Sequence, residues 1–350
     1  MNTSIVVCGK KFDIGTKVVL WNETNGLNAY DESRVITWQE NRKTGKGKKK
    51  ILKGKRYKKR NISLSKLQRI ITQFFLHHSG LYHSEATFSV LHKERGLSAH
   101  FIMDDDGTIY QMLDLKEIAW HGGSHNKFSI GIEIDSRARA YKIPNAYDEQ
   151  KQKKYNVGPR NKRLDKIHGE WLEGFEYNDR QYEALICLGV GIKEIFPLVR
   201  TPNSPYEIDF PRTKDGEILK TTYKAAKEHR GFICHLQASK SNKIDPISFD
   251  FSRFIEGVEL DNPWEESTFL RLDDWKERQT FLKLFGFDPG LIDGIFGPKT
   301  KSAVEKCQKE FGLPQNGEWS DKMTYMFDVK FKSEQYRSAF GFRPTTFRMG

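Results

Sequence analysis

Short apolar runs separated by polar stretches dominate the first two thirds of the chain. Residues 70–76, 99–103 and 130–134 have the length and the aromatic and β-branched content of strands. Residues 17–21 and 34–38 read as two shorter strands nearer the N-terminus. The period changes after Asp179, where Tyr182, Leu185, Ile186, Leu188, Gly189 and Ile192 recur at helical spacing toward Ile195, so an amphipathic helix is predicted there. Strands mixed with helices predict an α/β domain over residues 70–260. Two polar stretches rich in Pro, Gly and Asn, 137–176 and 197–220, read as insertions that could wall a groove.

Helical spacing takes over at the C-terminal end. Residues 273–285 form one predicted helix, and Pro298 opens a second that Gly312 stops. Ser320 and Asp321 are candidate caps for a third. The chain echoes itself here, because Asp293-Gly294 and Asn316-Gly317 each set a tight turn between helices. A small three-helix domain over 267–330 is expected, followed by a tail, 331–350.

Composition narrows the picture. The 350 residues are 37% hydrophobic and 30% charged, and no run approaches the ~18 apolar residues of a membrane span, so an integral membrane protein is not expected. The net charge of +12 is concentrated: residues 1–69 hold 18 Lys/Arg against 5 Asp/Glu, and twelve of the nineteen positions from Arg42 to Arg60 are basic. Residues 1–69 therefore read as a basic, β-rich arm or appendage, and its basic block as an attractor for a polyanion: nucleic acid, anionic lipid or an anionic cell envelope. Only Tyr57 interleaves that block, so no stacking platform for bases is visible and no nucleic-acid partner is expected. Four widely spaced cysteines with no C-x-x-C pair fit synthesis in a reducing compartment. The first thirty residues lack the order of a secretory signal.

Candidate chemistry sits at strand ends. His77-His78 closes the run 72–76, His235 closes a second run, 231–234, and Asp245 follows ten residues later. Two imidazoles and a carboxylate suffice for a catalytic zinc that keeps its fourth position for water, and such an ion suits amide hydrolysis. Neither H-E-x-x-H nor G-x-S-x-G occurs.

Five blocks carry a resemblance. Phe74-Phe-Leu-His-His-Ser-Gly, Leu97-Ser-Ala-His-Phe-Ile-Met-Asp-Asp-Asp-Gly, Ala119-Trp-His-Gly-Gly, Asn126-Lys-Phe-Ser-Ile-Gly-Ile-Glu and His235…Lys243-Ile-Asp-Pro, in that order, resemble the zinc-dependent N-acetylmuramoyl-L-alanine amidases. These share the fold of phage amidase lysozymes and peptidoglycan recognition proteins. Asp293-Gly-Ile-Phe-Gly-Pro-Lys-Thr-Lys-Ser-Ala-Val-Glu and Phe311-Gly-Leu-Pro resemble the peptidoglycan-binding module of cell-wall hydrolases. The resemblance implies a mixed central β-sheet flanked by helices and one zinc ion on His77, His235 and Asp245. The resemblance favours His77 over His78, because the family's ligand is the first residue after the strand's apolar run; alternation would then put its neighbour on the other face. It implies Glu133 as the carboxylate that activates water and shuttles its proton, and Lys243 as the cation that steadies the oxyanion. His121, Asn126 and Trp120 are expected to contact substrate; His100 is expected in the core, and His83, His92, His125, His168 and His229 at the surface.

Ala99 stands where some phage relatives place a catalytic Tyr, and Ile247 where many relatives place Gly after Asp-Pro, so the loop beyond Asp245 is expected to differ. The resemblance implies a peptidoglycan hydrolase made in a host cytoplasm without a signal peptide and acting at the bacterial wall, as a phage endolysin does. A non-catalytic peptidoglycan recognition protein is the alternative.

Overall fold

The computed structural model describes residues 2–32, 35–40, 47–52, 54–200, 208–239, 243–260, 272, 274–311, 313–320, 323–324 and 327. The chain divides into two units, Met1–Asn262 and Pro263–Gly350.

Six strands form the central sheet of the first unit: β1 (Val18–Leu20), β2 (Gln73–His78), β3 (Phe101–Met103), β4 (Ile109–Gln111), β5 (Ser129–Ile134) and β6 (Gly231–Cys234), in the order β6-β2-β5-β3-β4-β1. β6, β2, β5 and β3 run parallel, β4 pairs antiparallel with β3, and β1 is parallel to β4. This is the expected mixed α/β architecture. Every residue of β2 and β5 is buried, as parallel strands covered on both faces require.

Alternation along β2 then divides the labour. Phe74 and Leu76 enter the main core, under helix α1 (Asp179–Ile195) and helix α2 (Phe251–Leu260). Phe75 belongs to a separate apolar cluster with Ala226 and Ile233, and the His77 ring stacks on it at 4.5 Å and 14°. Helix α1 begins where Asn178 Oδ1 accepts from Gln181 N, and its Gly189 lets α2 approach, since a Cβ there would lie 2.8 Å from Val258.

The expectation of a separate arm over residues 1–69 is corrected. β1 is a strand of the central sheet, and Ile5, Val7, Val18 and Leu20 are in its core. Asp114 accepts the Cys8 and Gly9 amides at 2.7 Å, and the Gln111 amide pairs both ways with the Val6 backbone. The strand over 17–21 was readable, but its partner lies some ninety residues away, and local pattern carries no register. Beyond it, Val35–Glu40 and Gly47–Leu52 pair as an antiparallel ribbon. Side chains 33–53, most of the basic block, lie outside the described residues. Arg56 is 2% exposed and donates to the carbonyls of His92, Asp31 and Gly54; Arg60 donates to Lys127 O. These two are struts of the fold.

In the second unit, α3 (Trp275–Leu284) and α4 (Pro298–Glu310) enclose Leu282, Ala303, Val304 and Cys307 with Met323 and Phe327. The internal echo has a physical basis. Buried Gln279 accepts from Asp293 N and Gly294 N and donates to Ile295 O; buried Gln308 accepts from Gly317 N and donates to Glu318 O. One helical glutamine thus pins each turn. Ser320 Oγ accepts from Met323 N, a first-turn cap, while the rest of the expected third helix and the tail 331–350 lie largely outside the described residues.

Candidate active site

Three adjacent parallel strands deliver the site at their carboxyl ends, where open α/β sheets place their crevices. His77 of β2 is registered against Glu133 of β5, and His235 follows directly on β6, whose Cys234 is registered against Leu76. Asp245 arrives from the loop after the short helix His235–Ala238, held by Leu236 N donating to Asp245 O at 3.0 Å.

His77 Nδ1, His235 Nδ1 and Asp245 Oδ2 form a triangle with sides of 3.0, 3.1 and 3.3 Å. This is the one group of metal-ligating side chains among the described residues. A tetrahedral zinc at ~2.0–2.1 Å from each donor requires donors about 3.3 Å apart, so the donor set fits the ion. The protonation states fit as well. Burial lowers His77 to about 4, which leaves the ring neutral at neutral pH. Burial pushes the Asp245 carboxyl up, but His235 and His77 outweigh it and hold the group well below the usual carboxylate range. Metal ligands need these deprotonated forms. His78 is outside the triangle; its two ring nitrogens are buried with no hydrogen-bond partner among the described residues.

Glu133 is 9% exposed, and burial, then the Asp245 and Asp135 carboxylates, push it up to about 8. It faces a cavity of about 450 Å³ that also takes in His77, His235, Asp245, Lys243 and His121. Arg137, Arg139, Lys142 and Ile143 of the first insertion line it too, so that stretch does wall a groove. With Arg95 and Lys243, five cations face two carboxylates there, a wall suited to a substrate that carries carboxylates.

The expected substrate residues divide. His121 reaches the cavity, but both of its ring nitrogens are engaged: Nδ1 lies 3.1 Å from His77 Nε2, and Nε2 lies 3.3 Å from Ser129 Oγ. Asn126 does not line the cavity; its Oδ1 accepts from His121 N and Gly122 N and shapes the loop. Trp120 does not line it either. His92 and His125, expected at the surface, are buried: Asp31 O accepts from His92 Nε2, and His125 Nδ1 donates to Gln73 Oε1. His100 is buried between Glu117 O and Gly131 N.

Two features escaped the sequence reading. Asp135 accepts from Ser79, Ser84 and Thr87, tying the loop after β2 to the next helix; its place two residues beyond Glu133, just past the end of β5, was the available signal. His168, at the tip of the hairpin Lys162–Ile167/Glu170–Phe175, donates through Nε2 to Lys243 O at 2.7 Å, so the insertion also anchors the Lys243 loop.

A stability consequence follows. Burial raises Glu133 to about 8 and Asp135 to about 7. Both hold their protons more tightly folded than unfolded, so each favours the folded state at acid pH, an advantage lost as pH rises through 7 to 8. His77, His78, His100 and His125, lowered to about 4, act oppositely and add stability as pH rises from 4 to 6.5. Metal-free protein is expected to melt highest at about pH 6.5 and to lose several degrees by about pH 8.5, with Glu133→Gln flattening the alkaline limb. Thermal denaturation in chelator checks this; a Tm that holds level from pH 6.5 to 8.5 contradicts it.

Comparison with protein families matches residues 67–196 to N-acetylmuramoyl-L-alanine amidase and residues 271–325 to a putative peptidoglycan binding domain. The first match covers His77, His121 and Glu133 and ends before His235, Lys243 and Asp245. No curated protein matches the chain. Among solved structures, the endolysin N-acetylmuramoyl-L-alanine amidase LysCS from Clostridium intestinale is similar at 13% identity and TM-score 0.30, over 54% of this chain and 83% of that one. A structure of AmpD is similar at 18% and 0.33, over 58% and 90%. AmpDh3 from Pseudomonas aeruginosa, in complex with an anhydromuramic pentapeptide, is similar at 17% and 0.34, over 76% and 92%. On these two matches, the chain carries an N-acetylmuramoyl-L-alanine amidase domain over residues 67–196, followed by a putative peptidoglycan binding domain over residues 271–325.

Proposed function

We propose that this amidase is zinc-dependent, that it cleaves the amide between the lactyl group of N-acetylmuramic acid and the L-alanine of the stem peptide, and that it serves as a phage endolysin. The observation that carries the zinc reading is the donor triangle His77–His235–Asp245, with Glu133 one strand away at the same level of the sheet. Zinc bound there supplies Lewis acidity and a water acidified to a pKa of ~7. Glu133, poised in a buried setting near neutrality, takes a proton from the attacking water and returns it to the departing amine. Lys243, held from behind by His168, steadies the charge that develops on the carbonyl oxygen. The C-terminal domain keeps the enzyme on an insoluble substrate and raises the local concentration of cleavage sites. The basic block from Arg42 to Arg60, apart from Arg56 and Arg60, adds salt-sensitive attraction to an anionic envelope.

Mass spectrometry of purified peptidoglycan digested with the full chain tests the reading. Soluble stem peptides with a free N-terminal L-alanine are expected. Released sugars with reducing ends and intact stems, or a protein that pellets with the wall and releases nothing, would overturn it, the second outcome favouring the recognition protein.

A further inference from the structure

A neutral imidazole has one proton and two nitrogens, and only the nitrogen without the proton can ligate a metal. His77 presents Nδ1 to the triangle and Nε2 to His121. Within the triangle, Asp245 Oδ2 lies 3.3 Å from His77 Nδ1 and would draw the proton onto the very atom that must be bare. Something on the other side of the ring has to hold it away.

The contacts behind His77 form a chain with a direction. His125 O is a carbonyl and accepts only; Ser129 Oγ donates to it at 2.8 Å. With that proton committed, Ser129 Oγ is the acceptor for His121 Nε2 at 3.3 Å. His121 then carries its proton on Nε2, so its Nδ1 offers a lone pair to His77 Nε2 at 3.1 Å. The His77 proton is thereby held on Nε2.

The backbone has been cleared for this arrangement. A Cβ on Gly131 would lie 2.4 Å from His121 Nδ1, within the space the ring needs. His100, which receives Gly131 N on its own Nδ1, holds that strand position in place, and Asn126 fixes the His121 backbone. His121 is therefore built into the fold behind the metal-ligand triangle, with no ring nitrogen left over for substrate.

We propose that Ser129 and His121 are positioning residues that set the tautomer of His77, a relay running from the His125 carbonyl through Ser129 and His121 to His77 Nε2 that keeps Nδ1 bare for the metal. This rests on the zinc reading above for its purpose, though the tautomer itself can be read without metal. Partners behind a ligating histidine commonly change metal affinity ~10–100-fold.

Long-range 1H–15N correlation spectra of the metal-free full chain, near pH 7, report which nitrogen of His77 is protonated, and competition with a chromophoric chelator gives the zinc dissociation constant. Wild type is expected to carry the His77 proton on Nε2. Ser129→Ala frees His121 to reverse, so part of the His77 proton moves to Nδ1 and zinc binding weakens by about 10–100-fold. His121→Gln, which keeps an acceptor and a donor in line, should stay closer to wild type than His121→Leu. The proposal is overturned if wild-type His77 is protonated on Nδ1, or if Ser129→Ala and His121→Leu, folded by circular dichroism, bind zinc as tightly as wild type. A wild type that binds no zinc but shows the Nε2 proton removes the metal reading and leaves the relay standing.

Discussion

Replacing Glu133 by glutamine is expected to lower kcat for stem-peptide release by about 10²–10⁴, the usual contribution of a positioned acid–base group, with little change in zinc content or in sedimentation with the wall. The residue is 9% exposed and shares its sheet level with His77, so it is fixed by β5 and not by a loop. Glutamine has the same shape and fills the same space, yet it can neither take nor return a proton. The stability readout separates this from damage to the fold. A carboxyl whose proton is held to about 8 by burial and by the Asp245 and Asp135 carboxylates costs stability whenever it ionises, and the amide removes that cost. An enzyme that is inactive and melts higher than wild type at about pH 8.5 is the expected pair of results. Retention of more than a tenth of wild-type kcat would move the proton transfer to another group.

Much of this site was legible because it stands on short-range rules. The helix over Asp179–Ile195 follows from its period, and alternation along β2 sets the facing of His77 apart from that of His78. What stayed illegible depends on register between distant segments. His121 is carried into the groove by the resemblance of its Trp120-His-Gly-Gly block, which says nothing of its hydrogen-bond partners. Its true neighbour is set by where β5 places Gly131 and Ser129 beside the loop. His125 and His92 lie in polar stretches but are buried by contacts with Gln73 and Asp31, 52 and 61 positions away. The N-terminal strand was hidden for a related reason. The charge of residues 1–69 sits mainly after residue 40, while Ile5, Val7, Val18 and Leu20 already belong to the sheet's core.

Removing one corner of the donor triangle should have the other large effect. Asp245→Ala leaves two imidazoles whose nitrogens are 3.1 Å apart and removes the anionic donor from the set. Zinc binding is expected to fall below stoichiometric at micromolar metal, and kcat to fall by about 10³ or more, because the acidity lent to water, from a pKa of 15.7 to about 7, is lost with the ion. Chelation of wild type should reproduce the activity loss, and added zinc should restore it. In Asp245→Ala no concentration of zinc that leaves the protein soluble should do so. The variant also separates metal binding from the fold: Leu236 N bonds to the Asp245 backbone carbonyl, which alanine retains, so the loop keeps its anchor and Glu133 loses a carboxylate neighbour. Glu133 then titrates closer to the ordinary carboxylate range, and the alkaline loss of Tm in chelator becomes smaller than in wild type. Zinc-independent activity in wild type, or a fully active Asp245→Ala, would mean that the triangle is held together for its hydrogen bonds alone and that hydrolysis proceeds by Glu133 and Lys243 without a metal.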